Sequence, residues 1–153
     1  MKKLVPVLML LSSNALAYTD EQCMALNIYH EARSESMAGQ FAVADVVLNR
    51  VESNRYPNNV CDVIFQAEWA DGKPVLHRCQ FSWFCDGKSD TPRELDAWHR
   101  AKEVSNFIMI HNDFRGITEG ATHYHTEYVN PSWNSVMQLI GSIGDHIFYK
   151  EYK

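Results

Sequence analysis

The sequence predicts an α+β fold, mostly helical, with a small antiparallel β element. Three observations predict it. Helix-start signatures at Thr19 and Ser36 each precede an apolar segment. A third signature at Thr91 opens a long amphipathic stretch. After Gly120 the pattern shifts to short runs rich in Thr, His, Tyr, Ile and Phe, which read as strands. No repeat, low-complexity tract or linker interrupts the chain, so residues 18–153 are expected to form one catalytic domain.

Residues 1–17 read as a secretory signal. Lys2 and Lys3 form a basic start, Leu4 to Leu11 a short apolar core, and Ala15-Leu16-Ala17 a small-x-small cleavage site. The apolar run is too short to span a membrane as a mature helix. The expected mature chain starts at Tyr18, with no membrane anchor, in the periplasm or outside the cell. Without Lys2 and Lys3 the 14 basic residues fall to 12 against 19 acidic ones, a formal charge of −7. No basic stripe is present, which disfavours a nucleic-acid partner. An acidic protein also gains no long-range steering toward an anionic polymer, so its substrate contacts are expected to be local.

Thr19 with Gln22 three residues on has the form of a capping box, and helix is expected from there to Glu31 or Ala32. Ser36 caps the second helix. Its segment Phe41-Ala42-Val43-Ala44-Asp45-Val46-Val47-Leu48 is apolar almost all round, the mark of a helix at the domain centre. Pro57 forbids its continuation. Residues 56–91 lack strong periodicity and hold Pro57, Gly72, Pro74, Gly87 and three cysteines; they read as a long cross-linked loop with short helical turns. Thr91-Pro92-Arg93-Glu94 predicts a helix capped at Thr91 and running to about His111. Leu95, Trp98, Ala101, Ser105, Ile108 and Met109 fall roughly on one face. Strands are expected at 121–125 and 143–149, paired as a ribbon over Trp133 and Met137.

Cys23, Cys61, Cys79 and Cys85 make an even count in an exported chain, which implies two disulfides with three possible connectivities. Cys79 and Cys85 flank Gln80 to Phe84, so at least one bridge is expected to staple that loop. The paired Cys-x-x-Cys spacing of a structural zinc site is absent.

Chemistry concentrates at Ile28-Tyr29-His30-Glu31-Ala32-Arg33-Ser34-Glu35. Glu31 sits at the end of one helix, before a very apolar second one. A carboxylate between apolar walls has its charged form disfavoured and its pKa raised, which makes a proton donor at neutral pH. Glu35 is a possible second carboxylate, although stabilising the start of the second helix is the favoured role. The zinc-protease motif His-Glu-x-x-His fails here, because Ser34 stands at the second histidine position. His123, His125 and His146 form another cluster, which suits either a zinc site with an open position or a polar groove. Tyr124, Tyr128, Trp133, Phe81 and Trp83 are candidates for stacking on sugars, with core packing as the alternative. Ser82 lacks the Gly-x-Ser-x-Gly setting of a serine nucleophile.

These segments, in this order, resemble the cell wall hydrolases of the SleB type, the spore-cortex-lytic enzyme family. The resemblance runs from about Cys23 to Tyr149. It is carried by residues 28–35, Gly39-Gln40-Phe41-Ala42-Val43-Ala44 with Leu48-Asn49-Arg50-Val51, Cys79-Gln80-Phe81-Ser82-Trp83, and Cys85-Asp86-Gly87. Ala121-Thr122-His123-Tyr124-His125, Pro131-Ser132-Trp133 and residues 143–149 complete it. It implies a lysozyme-like, lytic-transglycosylase-like core and cleavage of peptidoglycan beside muramic acid. The family's catalytic glutamate, the one preceding Ala-Arg, falls on Glu31. Gln80, Ser82, His123, Tyr124 and His146 are the groove residues expected to hold sugars. No cofactor and no metal are expected, and the enzyme is expected to act as a monomer. One departure is Ser34, where the family usually has glycine; if that turn needed a positive φ, serine would be mildly strained. The alternative function is a zinc-dependent amidase or peptidase acting on the wall's stem peptides through the histidine cluster.

Overall fold

The structure, a computed structural model, describes residues 18–152. The expected signal segment lies outside the described residues. Four helices are present among them: α1 (Asp20–Ala32), α2 (Met37–Glu52), α3 (Val60–Ile64) and α4 (Leu95–Ile110). The strands form a hairpin, β1 (Ala67–Ala70) with β2 (Lys73–Cys79), and a three-stranded antiparallel sheet of β3 (His123–Thr126), β4 (Gln138–Ile143) and β5 (His146–Lys150). The expected mostly helical α+β architecture is what forms. No helix among the described residues is long and apolar enough to cross a membrane.

The capping box closes as expected. Gln22 N donates to Thr19 Oγ1 at 3.2 Å and Thr19 N donates to Gln22 Oε1 at 2.9 Å. Ser36 caps α2, accepting from Gly39 N at 3.3 Å. Every residue of α2 from Gly39 to Val47 is buried. One side of it joins α1, α3 and α4 in the main core, with Phe41, Ala44 and Val47. The other side, with Ala42 and Val46, meets Ala121 and Phe148 of the sheet region. That two-sided burial is why its apolar residues encircle the helix.

Three elements differ from expectation. The loop read over 56–91 contains the β1–β2 hairpin, turned at Asp71 and Gly72, both with positive φ (51° and 73°). This is the Asp-Gly pair that a tight hairpin turn favours. The strand expected over 143–149 is interrupted: Gly144 and Asp145 turn the chain between β4 and β5. Helix α4 starts at Leu95 instead of just after Thr91, with no side-chain cap. The backbone N–H groups of Arg93 and Glu94 are taken by Tyr29 Oη, at 3.0 and 3.1 Å, which holds this segment extended. Leu95 is 68% exposed, and Ala97 and Val104 take places on the buried face.

The sheet order β3-β5-β4 places the last strand in the middle, with Tyr124 paired to Phe148 and His123 to Tyr149. The disulfides are Cys23–Cys61, tying α1 to α3, and Cys79–Cys85, which staples the loop at the end of β2 as expected. The first closes a 38-residue separation. In the chain-entropy account a loop of that length stabilises by about 4 kcal/mol. Replacing Cys23 and Cys61 together by alanine is expected to lower the unfolding free energy by about that amount, read by urea denaturation under oxidising conditions. A loss below about 1 kcal/mol would contradict this account.

Candidate active site

Glu31 lies in the last turn of α1, where its side chain faces a cleft of about 270 Å³. Arg50, Cys79, Gln80, Phe81, Ser82, His123, Tyr124 and Trp133 complete the lining. Four pieces of chain therefore converge: the ends of α1 and α2, the stapled loop, and β3 with the turn at Ser132–Val136. Among the described residues that line the cleft, Glu31 is the one carboxylate.

Tyr124 Oη donates to Glu31 Oε2 at 2.8 Å. Burial pushes the Glu31 pKa above its ordinary value; the Tyr124 hydrogen bond and the charge of Arg50 pull it back without cancelling the rise. Burial also raises the Tyr124 pKa, and the adjacent Glu31 charge adds to that, so Tyr124 remains a donor. His123 is shifted down by burial and by Arg50, and so is uncharged at neutral pH. Its Nδ1 lies 3.0 Å from Thr122 Oγ1.

The structure thus gathers Glu31, Gln80, Ser82, His123 and Tyr124 around one cleft, together with Phe81 and Trp133 of the stacking candidates. Three other expected residues lie elsewhere. His146 is only 4% exposed and sits behind the cleft, its ring edge-on to Tyr124 at 5.0 Å. Trp83 is a core residue: it stacks on His30 at 4.5 Å and donates to Asn27 Oδ1 at 3.0 Å. Tyr128 is 78% exposed and outside the lining. Arg50 is the residue whose place in the cleft the sequence reading missed. A basic side chain closing a helix apolar almost all round was the available signal, since a buried cation needs a reason.

Glu35 takes the structural role. Its side chain is 8% exposed, its Oε2 accepts from Asp145 N at 3.2 Å, and its Oε1 lies 3.5 Å from His146 Nδ1. Burial lowers the His146 pKa more than Glu35 raises it. Glu35 thereby pins the β4–β5 turn against the start of α2. Gly144 there has φ +59°, and a Cβ on it would fall 1.9 Å from Glu35 Oε2. Ser34 does not adopt a positive φ, so serine at that turn carries no such strain. The three histidines do not converge. Both ring nitrogens of His125 are engaged, Nδ1 with Thr126 O at 2.8 Å and Nε2 with Tyr149 Oη at 3.0 Å. No group of three or more His, Cys, Asp or Glu among the described residues is placed to hold a metal ion. The histidine-based zinc reading therefore has no support.

The family model described as cell wall hydrolase matches residues 34–149. The chain belongs to the cell wall hydrolase family. A spore cortex-lytic enzyme of Halalkalibacterium halodurans is 53% identical over 131 residues, covering 84% of this chain and 34% of that protein. One from Bacillus cereus is 32% identical over 141 residues, covering 90% and 46%. The chain thus spans less than half the length of those relatives. The solved catalytic domain of the germination-specific lytic transglycosylase SleB from Bacillus anthracis superposes with a TM-score of 0.66 at 33% identity, covering 90% of this chain and 98% of that one. The SleB catalytic domain of Bacillus cereus gives 0.62 at 30% identity. The family match begins three residues after Glu31.

The Tyr124 hydrogen bond favours the ionised form of Glu31. Tyr124→Phe removes it, so the Glu31 pKa rises further. The alkaline limb of the pH–activity profile is expected to move to higher pH. An unmoved limb would mean that Tyr124 does not act through Glu31.

Proposed function

We propose that this chain cleaves the glycan strand of peptidoglycan as a lytic transglycosylase, at the bond between N-acetylmuramic acid and N-acetylglucosamine, outside the cytoplasm. The observation that carries the reading is a single carboxyl group in a polar cleft, its pKa raised by burial. Its family membership and its likeness to the SleB catalytic domain support the same chemistry.

Glu31 gives its proton to the glycosidic oxygen as the C1–O bond breaks, and the electron pair goes to the departing oxygen. The muramic ring passes through an oxocarbenium-like state. Glu31, now a carboxylate, takes the proton of the muramic C6 hydroxyl as that oxygen closes onto C1. The nucleophile belongs to the substrate, so proximity replaces a second carboxylate that would otherwise activate water. Gln80 and Ser82 on the stapled loop, with His123 and Tyr124 on β3, are placed to hold the sugars, and Trp133 offers an apolar face to a pyranose ring.

Mass spectra of the soluble muropeptides released from purified peptidoglycan test this. Anhydro-muramic ends, lighter by one water than hydrolysed ends, are the expected product. Reducing muramic ends would replace the transglycosylase by a hydrolase and make Glu35 the next residue to mutate. Free stem peptides would overturn the glycan reading altogether.

A further inference from the structure

Arg50 closes α2 with its side chain 3% exposed. Its Nε donates to Thr122 O at 2.8 Å. The guanidinium lies over two rings, Tyr56 at 5.4 Å and Phe81 at 5.2 Å. Nη1 is shut off from solvent and has no hydrogen-bond partner. A buried cation with a donor group unsatisfied is expensive, and a nearby carboxylate would compensate it. The titratable and charged groups around it come from three directions: Glu31 from α1, Tyr124 and His123 from β3, and Tyr56 from the segment after α2. Farther out, His146 packs edge-on against the Tyr124 ring, with Glu35 3.5 Å from its Nδ1.

We propose that Arg50 is the counter-ion of Glu31, a positioning residue whose fixed positive charge stabilises the carboxylate formed when Glu31 gives up its proton. The inference rests on the reading of Glu31 as acid and base. Burial disfavours the carboxylate form of Glu31, and the Arg50 guanidinium lines the same cleft with its Nη1 unpartnered. Breaking the Glu31 O–H bond creates a negative charge in the cleft that this cation, already held in place by Thr122 O, also lines. No reorganisation is needed as the proton moves, which is the condition under which electrostatic stabilisation is most effective. The same charge keeps Glu31 from becoming too weak an acid for the first step, while burial keeps it from becoming too weak a base for the second.

The test compares Arg50→Gln and Arg50→Lys with the wild-type chain, using pH–activity profiles on purified peptidoglycan. Arg50→Gln is expected to lower kcat by about 10²-fold with KM little changed. Its alkaline limb moves to higher pH, because the Glu31 carboxylate has lost its neighbouring cation. Arg50→Lys keeps the charge and holds the limb near the wild-type position. A folded Arg50→Gln protein with an unmoved limb overturns the inference. A second measurement covers the case in which Arg50→Gln does not fold. In the wild-type protein the ¹⁵N resonances of the Arg50 side chain are expected to shift through the titration of Glu31, and to stay flat in Glu31→Gln. Flat resonances in the wild type overturn the inference as well. If Glu31→Gln still cleaves peptidoglycan, the reading of Glu31 itself has failed; if it is inactive and the Arg50 signals stay flat, only the counter-ion role falls.

Discussion

Glu31→Gln is expected to reduce peptidoglycan cleavage by at least about 10³-fold, within the range that general acid–base groups supply. The amide has nearly the shape of the carboxyl, and Tyr124 Oη can still donate to its oxygen, so the cleft keeps its form. What is lost is the dissociable proton, in both halves of the reaction. The same variant carries a stability signature of opposite sign. In the wild type, burial holds the folded-state pKa of Glu31 above its ordinary value. As pH rises from the ordinary carboxylate range through that raised value, the unfolded chain has released its proton and the native chain has not. The native state then binds more protons, and stability falls with pH across the window. Glutamine cannot ionise, so the variant escapes this loss and is expected to melt higher than the wild type above the raised pKa. Melting curves at pH 4 and pH 9 with muropeptide release from the same preparations check both halves. Residual cleavage above about a tenth of wild type would remove Glu31 from the mechanism.

Asp45→Ala is expected to give the largest loss of stability of any single polar substitution discussed, about 3–5 kcal/mol. Asp45 lies on α2 and is fully buried. Its carboxylate accepts from Gly116 N at 2.9 Å, Thr118 N at 3.1 Å and Thr118 Oγ1 at 2.5 Å, and it pairs with Arg115. Asn49, one turn on, donates to Thr118 Oγ1 at 3.1 Å and Ala121 O at 2.8 Å. These bonds hold residues 115–121 on α2, and that segment leads directly into β3. Alanine strands three donors and leaves Arg115 with Glu52 as its remaining carboxylate partner; stranding buried donors is what makes loss of one buried partner severe. Chemical denaturation gives the stability. Cleavage measured well below the new melting temperature is also expected to fall, because Tyr124 follows the tethered segment by three residues. A destabilisation under about 1 kcal/mol would mean that water satisfies the stranded groups.

The helices were legible because their signals are local. Thr19 and Gln22 announce a capping box whatever the rest of the chain does, and α2 declares its burial through apolar residues on every side. The start of α4 was misread because its competitor is distant: Tyr29 Oη, more than sixty residues earlier, takes the N–H groups of Arg93 and Glu94. The two turns at Asp71-Gly72 and Gly144-Asp145 were missed although each carries a recognised turn dipeptide. Proline and cysteine density drew the first into a loop, and the β-forming Ile143, Ile147, Phe148 and Tyr149 on either side hid the second. At the site, Glu31 and Tyr124 were legible as residues, but their 2.8 Å hydrogen bond spans 93 positions and belongs to the fold. Arg50 was hidden for the same reason: its role follows from which rings and which carboxyl the chain folds around it.

The strand order has a temporal consequence. Synthesis runs from the N-terminus, and β3 finds no partner in β4; it pairs only with β5. The ribosome has therefore delivered Glu31, Arg50, the stapled loop and Tyr124 itself before any backbone ladder exists to hold Tyr124 against Glu31. Residues 146–150 insert between two strands already made and complete both ladders at once. A nascent chain thus carries Glu31, Arg50 and Tyr124 before it carries the cleft they line, and that cleft is held together only after residues 146–150 have emerged.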